Sequence, residues 1–194
     1  CGAEYVTTEM ISAKAIRYGD LKTWRLGRIY DDERPAAVQL FGSEPEIMAY
    51  AASECERRLS PASVDINMGC PVKKVFNNGD GSALMKNPDL ICEVVQAVRE
   101  GAKRPVTVKM RAGIESGKPN AVECALAAQK GLRQTEKVCH EPGKPDAPEA
   151  LPEARGACCV LHDACQAGEG AERGFGFGEE TFVAVNAEMP QRVI

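Results

Sequence analysis

The chain has 194 residues, of which 44% are hydrophobic and 27% charged, and its formal net charge is -4. This length permits a sizeable core but falls short of the ~250 residues of a complete (β/α)8 barrel, and the acidic balance excludes a basic field over the whole surface. No apolar run approaches the ~18 residues of a membrane span. Nine cysteines at scattered spacing favour reduced thiols in a cytoplasmic protein over a disulfide framework.

The first part of the chain, residues 1–130, predicts a regular alternation of strands and helices. β-Branched and apolar runs bounded by glycine or proline predict strands at residues 4–10, 36–42, 63–66 and 104–111. Residues 17–34, between the first two strands, are polar and charged, which predicts a surface excursion. Gln39 interrupts an apolar strand, so its amide is expected to have a hydrogen-bond partner.

Three helices are predicted from capping residues and helical periodicity. One begins with Ser43 as its cap, the second follows Asn87 with Pro88 as its first residue, and the third spans residues 120–130. Cys92 falls outside the buried face of the second helix and is expected to be inert. Strands and helices that alternate with short connections indicate an α/β fold with a parallel sheet. The predicted buried faces consist of Ile47, Met48, Ala51, Ala52, Cys55 and Leu59, then Leu90, Ile91, Val94, Val95 and Val98, then Val122, Ala125, Leu126 and Gln129.

The sequence changes character at about Gly131. Proline, glycine, alanine and glutamate without a clear period predict a second, poorly ordered region over residues 131–194, in which 181–185 resembles a strand. The glycine-rich run at 174–178 neither follows a strand nor opens a helix, so it is interpreted as a linker. Four residues have metal-like spacing but lack a second pair, so we expect no metal site there: Cys158, Cys159, His162 and Cys165.

The chemical signal is strongest in residues 65–74, with the sequence DINMGCPVKK. Cys70 lies in a turn just past the third predicted strand, because Gly69 and Pro71 end regular pairing. An isolated turn of this kind would be interpreted as holding a buried structural cysteine. In parallel α/β proteins, however, the carboxyl ends of the strands are where chemistry is placed.

Polar side chains also occur at the ends of the neighbouring strands. Gln39, then Asn67 with Cys70, then Lys109 with Arg111 are expected to converge on one rim of the sheet. An amide, a thiol and two cations at one rim suit an electron-rich planar ring. A cysteine there can donate a proton when it remains a thiol, or act as a nucleophile when nearby cations lower its pKa. Spacing alone does not decide the chemistry, because surface lysines are common.

Five segments of the chain resemble, in the same order, segments of the tRNA-dihydrouridine synthases. They are TEMISA at 8–13, AVQLFG at 37–42, DINMGCPVKK at 65–74, GDGSALM at 79–85 and VTVKMR at 106–111. Five motifs in register are far more specific than any one of them. The resemblance implies a partial TIM (β/α)8 barrel that bears FMN and reduces the C5–C6 bond of a uridine in tRNA, with NADPH as the reductant.

The resemblance also implies roles for the matching residues. Cys70 would be the catalytic acid that protonates uracil C5, and Gln39 and Lys109 would hold the isoalloxazine ring. Asn67 and Arg111 would contact the uracil, which must be turned out of the RNA stack. Neither a membrane nor a metal is implied, and the oligomeric state is not indicated. Two further lysines are either phosphate contacts or a solvated edge: Lys73 and Lys74.

The sequence departs from the family pattern at both ends. It begins at Cys1 without a Pro-Met-Ala-Gly-type flavin segment, and residues 138–141 are a poor match for the histidine-glycine-arginine segment expected after the fourth strand. The strand ends that take the FMN phosphate and the helical tRNA-binding domain are also missing. We therefore expect a barrel fragment, truncated at both ends, with an unrelated tail after about residue 130. An open barrel of this kind is expected to be inactive by itself.

Two alternatives remain open. One is another FMN-barrel pyrimidine oxidoreductase, such as a relative of dihydroorotate or dihydropyrimidine dehydrogenase, although the run NMGCPVKK matches these less well. The other is a non-catalytic barrel fragment or an RNA-binding remnant. Bound flavin that NADPH can reduce separates the enzymes from the fragment.

Overall fold

Residues 3–134 and 182–183 are described by the computed structural model of the chain. The strands are β1 (Val6–Ser12), β2 (Ala36–Phe41), β3 (Ser63–Met68), β4 (Val106–Met110) and β5 (Phe182–Val183). The first four are parallel and lie side by side in sequence order, and β5 pairs antiparallel with β4. Sequential parallel strands that are also nearest neighbours are typical of a TIM barrel.

Six helices occur in the part of the chain that the structure describes. They are α1 (Ala13–Arg17), α2 (Thr23–Leu26), α3 (Pro45–Leu59), α4 (Lys73–Phe76), α5 (Pro88–Gly101) and α6 (Ala121–Gln134). Two 3-10 turns, Asp31–Glu33 and Gly81–Lys86, lie in the connections. Helix α3 joins β2 to β3 and α5 joins β3 to β4, so each crossover is a βαβ unit. This order confirms the predicted α/β fold and the partial TIM (β/α)8 barrel.

One face of the sheet is apolar and carries the helices. Its side chains form a single buried cluster with the inner faces of α3 and α5. Burying each large apolar side chain stabilises the fold by ~1.5–3 kcal/mol relative to leaving it in water. This face therefore holds the sheet and its helices together. The buried strand residues of the cluster are Ile11, Val38, Leu40, Val64, Ile66, Met68, Val106, Val108 and Met110.

The opposite face of the sheet is polar. Because side chains alternate along a strand, Gln39 of β2, Asp65 and Asn67 of β3 and Lys109 of β4 share this face. The strand register places Gln39 beside Asp65 and Asn67 beside Lys109. In a closed barrel this face is the interior, so the polar side chains follow one another around the inside of the barrel.

The predicted elements are confirmed, with differences at their ends. β1 is displaced from the predicted 4–10 by two residues. The prediction that Ser43 caps α3 is wrong: the helix begins at a proline, so its cap position is Glu44, whose side chain makes no capping bond. Asn87 caps α5 as predicted, since its side chain accepts a hydrogen bond from the Leu90 amide.

The predicted buried face of α6 is confirmed at Ala125 and wrong at two other positions. Val122 and Leu126, expected in the core, are 63% and 61% exposed. Helix α6 instead packs a face of small residues against α5. Larger side chains would not fit there, because the backbones of the two helices lie close together. The same contact buries Cys92, which the periodicity of α5 places off the core face. The buried residues of α6 are Ala121, Cys124, Ala125, Ala128 and Leu132.

Residues 17–34 form the predicted surface excursion, which is mostly exposed. The Trp24 side chain anchors it, packed against the core with the Arg58 guanidinium 4.5 Å from its ring centroid. None of the described helices is long and apolar enough to cross a membrane. The predicted boundary at about residue 130 stays a prediction, because residues 135–181 and 184–194, with the four spaced metal-ligand types and the glycine-rich run, lie outside the described residues.

Two glycines set how closely the helices approach. An ideal Cβ at Gly101 would lie 2.3 Å from the backbone oxygen of Ala49 in α3, and one at Gly131 would lie 2.4 Å from that of Cys92 in α5. Gly131→Ala is therefore expected to lower the free energy of unfolding by ~1–3 kcal/mol through overpacking, although alanine favours a helix by ~1 kcal/mol over glycine. Urea denaturation followed by circular dichroism measures the change.

The matched control is Lys130→Ala, at the adjacent exposed position of α6. It is expected to change the free energy of unfolding by less than ~0.5 kcal/mol. Equal effects of the two substitutions would contradict the close contact between α5 and α6.

Burial makes two core thiols weak acids. It raises the pKa of Cys55 from 9.0 to about 12 and that of Cys124 from 9.0 to about 11. Since the folded pKa of Cys55 exceeds the unfolded one, its contribution to stability is complete below pH ~9 and declines as the pH rises toward ~12. The free energy of unfolding that Cys55→Ala removes should therefore be constant between pH 6 and 8 and smaller by ~1–2 kcal/mol at pH 10. Urea titrations of the wild type and Cys55→Ala at pH 7 and 10 test this. A loss of free energy of unfolding that is larger at pH 10 than at pH 7 would refute it.

Candidate active site

The five side chains that the sequence predicts for the site lie at the carboxyl ends of β2, β3 and β4. Gln39 and Asn67 are 8% and 6% exposed, whereas Cys70, Lys109 and Arg111 are partly buried. β3 continues two residues past its predicted end, so Asn67 lies within the strand, one residue before its end. The predicted convergence of these residues on one rim is what the structure shows.

A chain of hydrogen bonds links the amides of neighbouring strands. The Asn67 Nδ2 donates to Gln39 Oε1 at 2.9 Å, and the Gln39 Nε2 donates to Asp65 Oδ2 at 2.7 Å. The Thr107 hydroxyl donates to the other oxygen of the Asp65 carboxylate. Gln39 therefore has the partner that its place in an apolar strand requires.

The Cys70 turn is attached to this chain through Asn67. The Asn67 Oδ1 accepts hydrogen bonds from the backbone amides of Gly69 at 3.2 Å and Cys70 at 2.9 Å. On the other side, the Cys70 carbonyl accepts from the Ser82 amide at 3.0 Å. A single side chain thus holds the thiol's backbone and the Gln39 amide at once.

Gly81 allows the second support of this turn. Its φ is +61°, in the left-handed region that favours glycine, and an ideal Cβ there would lie 2.7 Å from the Cys70 carbonyl oxygen and 3.2 Å from the Cys70 Cβ. The start of the second 3-10 turn therefore packs directly against the cysteine. Of the four cysteines in the described residues, Cys70 is the one that is not buried.

Two cations border the site. Arg111 lies against the turn, with its Nη1 3.5 Å from the Gly69 carbonyl oxygen, a long contact. Lys109 faces Asp65, whose pKa is raised by burial; the bonds from Thr107 and Gln39 and the Lys109 charge oppose that rise without cancelling it. The site thus combines two amides, a thiol, a buried carboxyl group and two cations.

The sequence analysis missed Asp65 and Thr107, although both lie within the motifs that it singled out. Gln39 was the signal for Asp65. A polar side chain buried in one strand needs a hydrogen-bond partner, and the neighbouring strand can supply a polar side chain at the same level. Spacing along the chain could not reveal this pair, since the parallel register that places Asp65 between Gln39 and Thr107 is set by the packing of the helices.

A second carboxyl group borders the turn. Asp80 is 3% exposed, and its Oδ1 has no hydrogen-bond partner among the described residues. Lys14 pairs with Glu44 at 2.7 Å, and this contact, reinforced by the charges of Glu44 and Asp80, raises the pKa of Lys14. Two lysines that follow the cysteine are exposed, and their role as phosphate contacts stays a prediction: Lys73 and Lys74.

The donor set of the rim suits a planar, electron-rich ring better than a cation. Gln39 retains one N–H and one lone pair after its two bonds, Asn67 retains one N–H, and Lys109 supplies positive charge. These groups match the carbonyl and ring-nitrogen edge of an isoalloxazine. No group of three or more histidine, cysteine, aspartate or glutamate side chains among the described residues is arranged to hold a metal ion.

Comparison with known proteins gives this site a family. The sequence model of the Dihydrouridine synthase (Dus) family matches residues 1–134. A probable tRNA-dihydrouridine synthase of Treponema pallidum is 40% identical over 131 residues, which are 65% of this chain and 38% of the relative. The tRNA-dihydrouridine synthase B of Pseudomonas aeruginosa is 39% identical over 134 residues, 68% of this chain and 40% of the relative. The tRNA-dihydrouridine(47) synthase of Cryptococcus neoformans is 37% identical over 125 residues, 62% of this chain and 17% of the relative.

The chain spans about two fifths of the length of the two bacterial relatives. The matched region contains every described element except the two-residue β5, and it contains the whole hydrogen-bonded rim. Since the family match covers well over half of the chain, this chain belongs to the dihydrouridine synthase family.

Proposed function

We propose that this chain carries part of the active site of a flavin-dependent tRNA-dihydrouridine synthase, which reduces the C5–C6 bond of a uridine in tRNA. The observation that carries the proposal is the Asn67 side chain, which bonds the Cys70 amide at 2.9 Å and the Gln39 amide at 2.9 Å. Asn67 therefore connects the residue that carries the thiol to the Gln39 amide, which is suited to bind a flat ring. In this proposal the protein acts in the cytoplasm, where both tRNA and NADPH are available.

In this proposal Gln39 and Lys109 bind the cofactor. The free N–H and lone pair of the Gln39 amide match the carbonyl and N–H edge of an isoalloxazine, and the Lys109 ammonium stabilises negative charge on the ring. When bound, FMN supplies the hydride for uracil C6 and is recharged by NADPH. The residues of this chain hold the ring in place and exclude water from its face.

Cys70 supplies the second half of the reduction. Addition of a hydride at C6 leaves a pair of electrons at C5, and the Cys70 thiol donates its proton there, which completes the two-electron reduction and leaves a thiolate. The Arg111 guanidinium borders the same turn, and its positive charge would favour the thiolate that forms there. Solvent then returns the proton to the partly buried thiolate.

Asn67 and Arg111 orient the substrate. The uracil must leave the base stack to reach a rim enclosed by the strand ends, and there the N–H groups of Asn67 and Arg111 would donate to its carbonyl oxygens. The exposed Lys73 and Lys74, next to the cysteine turn, would neutralise phosphates of the flanking nucleotides.

Flavin binding tests the cofactor half of the proposal. The 194-residue chain, purified and reconstituted with FMN, is expected to show protein-bound flavin absorbance that NADPH bleaches. Lys109→Ala should weaken FMN affinity about tenfold or more, because a hydrogen bond to a charged group contributes ~1.5–3 kcal/mol. The matched control is Lys103→Ala, an exposed lysine before the amino end of β4, which should bind FMN as the wild type does. A wild-type chain that retains no FMN would favour the non-catalytic fragment.

Cys70→Ala tests the proposed proton donor. Once the chain binds FMN and reduces uridine in tRNA, flavin reduction by NADPH in this variant should proceed as in the wild type, whereas dihydrouridine formation should fall by ~10²–10⁴-fold, the usual contribution of a positioned general acid. Mass spectrometry of the digested tRNA measures the product. Cys92→Ala, at a buried thiol between α5 and α6, is the control and should keep full product yield. Unimpaired dihydrouridine formation by Cys70→Ala would remove Cys70 from this role.

A further inference from the structure

We propose that Asp65 is a positioning residue which, through Gln39 and Asn67, dictates the pattern of donors and acceptors that the site presents to its ligands. The hydrogen-bonded path on which this rests is Thr107 to Asp65, Asp65 to Gln39, Gln39 to Asn67 and Asn67 to the Cys70 turn. The inference deepens the proposed function in naming the ligand group that faces Asn67. The path itself needs neither flavin nor tRNA.

The path is fixed at both ends by groups that cannot exchange roles. An ionised Asp65 carboxylate only accepts hydrogen bonds, and the backbone amides of Gly69 and Cys70 only donate them. Gln39 must therefore turn its Nε2 toward Asp65, and Asn67 must turn its Oδ1 toward the turn. Rotating either amide by 180° would bring two N–H groups or two oxygens face to face.

The remaining capacity of each amide follows from this orientation. Both lone pairs of the Asn67 Oδ1 are occupied by the Gly69 and Cys70 amides, and one of its two N–H bonds goes to Gln39. Asn67 can therefore offer a ligand a single donor and no acceptor. The ligand atom that meets it must be an acceptor, such as a carbonyl oxygen. A uracil presents carbonyl oxygens on both sides of N3, whereas a cytosine presents an amino group in place of one.

Burial disfavours the charged form of the Asp65 carboxyl group. Asp65 is 8% exposed, and burial raises its pKa above the ordinary value even though Thr107, Gln39 and Lys109 favour its charge. A raised carboxyl pKa stabilises the fold below the unfolded value and loses that contribution as the pH rises through the folded one. Burial thus opposes the charge of a group that bonds both neighbouring strands, a combination typical of residues retained for function.

Asparagine at this position can reproduce the bonds without the charge. In Asp65→Asn the Oδ1 accepts from Gln39, and the Nδ2 donates to the Thr107 hydroxyl, which can accept as readily as donate. Alanine offers neither bond. The pair of substitutions therefore separates the loss of the path from the loss of the charge.

Amide hydrogen exchange in the full 194-residue chain, followed by nuclear magnetic resonance without any ligand, tests the inference. In Asp65→Ala, exchange of the Gly69 and Cys70 amides should accelerate about fivefold or more beyond any change shared by the α5 core amides. Asp65→Asn should restore protection to within about twofold of the wild type. Ser63→Ala is the control: Ser63 is on the same strand face and bonds Tyr5 at 2.6 Å, outside the path, and it should leave both amides unchanged.

Wild-type exchange at Gly69 and Cys70 in Asp65→Ala would overturn the inference, as would equal acceleration in Ser63→Ala. Should Asp65→Ala not fold, Thr107→Val replaces it, because it removes the donor to the second carboxylate oxygen and should accelerate the same two amides by about twofold or more; no change there would also overturn the inference. With FMN added, affinity should fall in Asp65→Ala and return in Asp65→Asn. Absence of FMN binding in the wild type would refute the proposed function while leaving the exchange result as the measure of the positioning role.

Discussion

One side chain joins the sheet of this protein to its chemistry. The Asn67 amide lies one residue before the end of β3, accepts hydrogen bonds from the backbone of the cysteine turn and donates one to the neighbouring strand. Without it the turn after Met68 would lose its direct bond to the neighbouring strand and would be held chiefly by the Ser82 amide, because glycine and proline on either side of the cysteine supply no regular pairing. The position of the thiol relative to the strand ends therefore depends on a hydrogen-bonded amide, and only secondarily on the length of the loop.

The two faces of the sheet have different roles: the apolar face stabilises the fold, and the polar face carries the candidate site. Apolar residues on the helix side supply the free energy that keeps parallel strands together, and their packing against α3 and α5 sets the strand register. That register then decides which polar residues meet on the other face, where Gln39, Asp65 and Asn67 are nearly fully buried. Polar groups so deeply buried are tolerated only because each finds a partner on the next strand.

The sequence predicts the elements of this fold better than their contacts. Apolar periodicity located the four parallel strands and the three long helices, and the motif around Cys70 located the rim. It failed for the buried face of α6, where Val122 and Leu126 are exposed, since close helix packing selects small residues that hydropathy does not distinguish. It also missed Asp65, because a cross-strand partner is determined by register, a property of the assembled sheet that no local pattern contains.

The contact between Gly81 and the cysteine turn has a mechanical consequence. With no side chain between them, the Cys70 carbonyl lies directly against Gly81, so neither segment can be displaced without the other. Any side chain at position 81 would therefore have to push the cysteine turn away from its place at the strand ends.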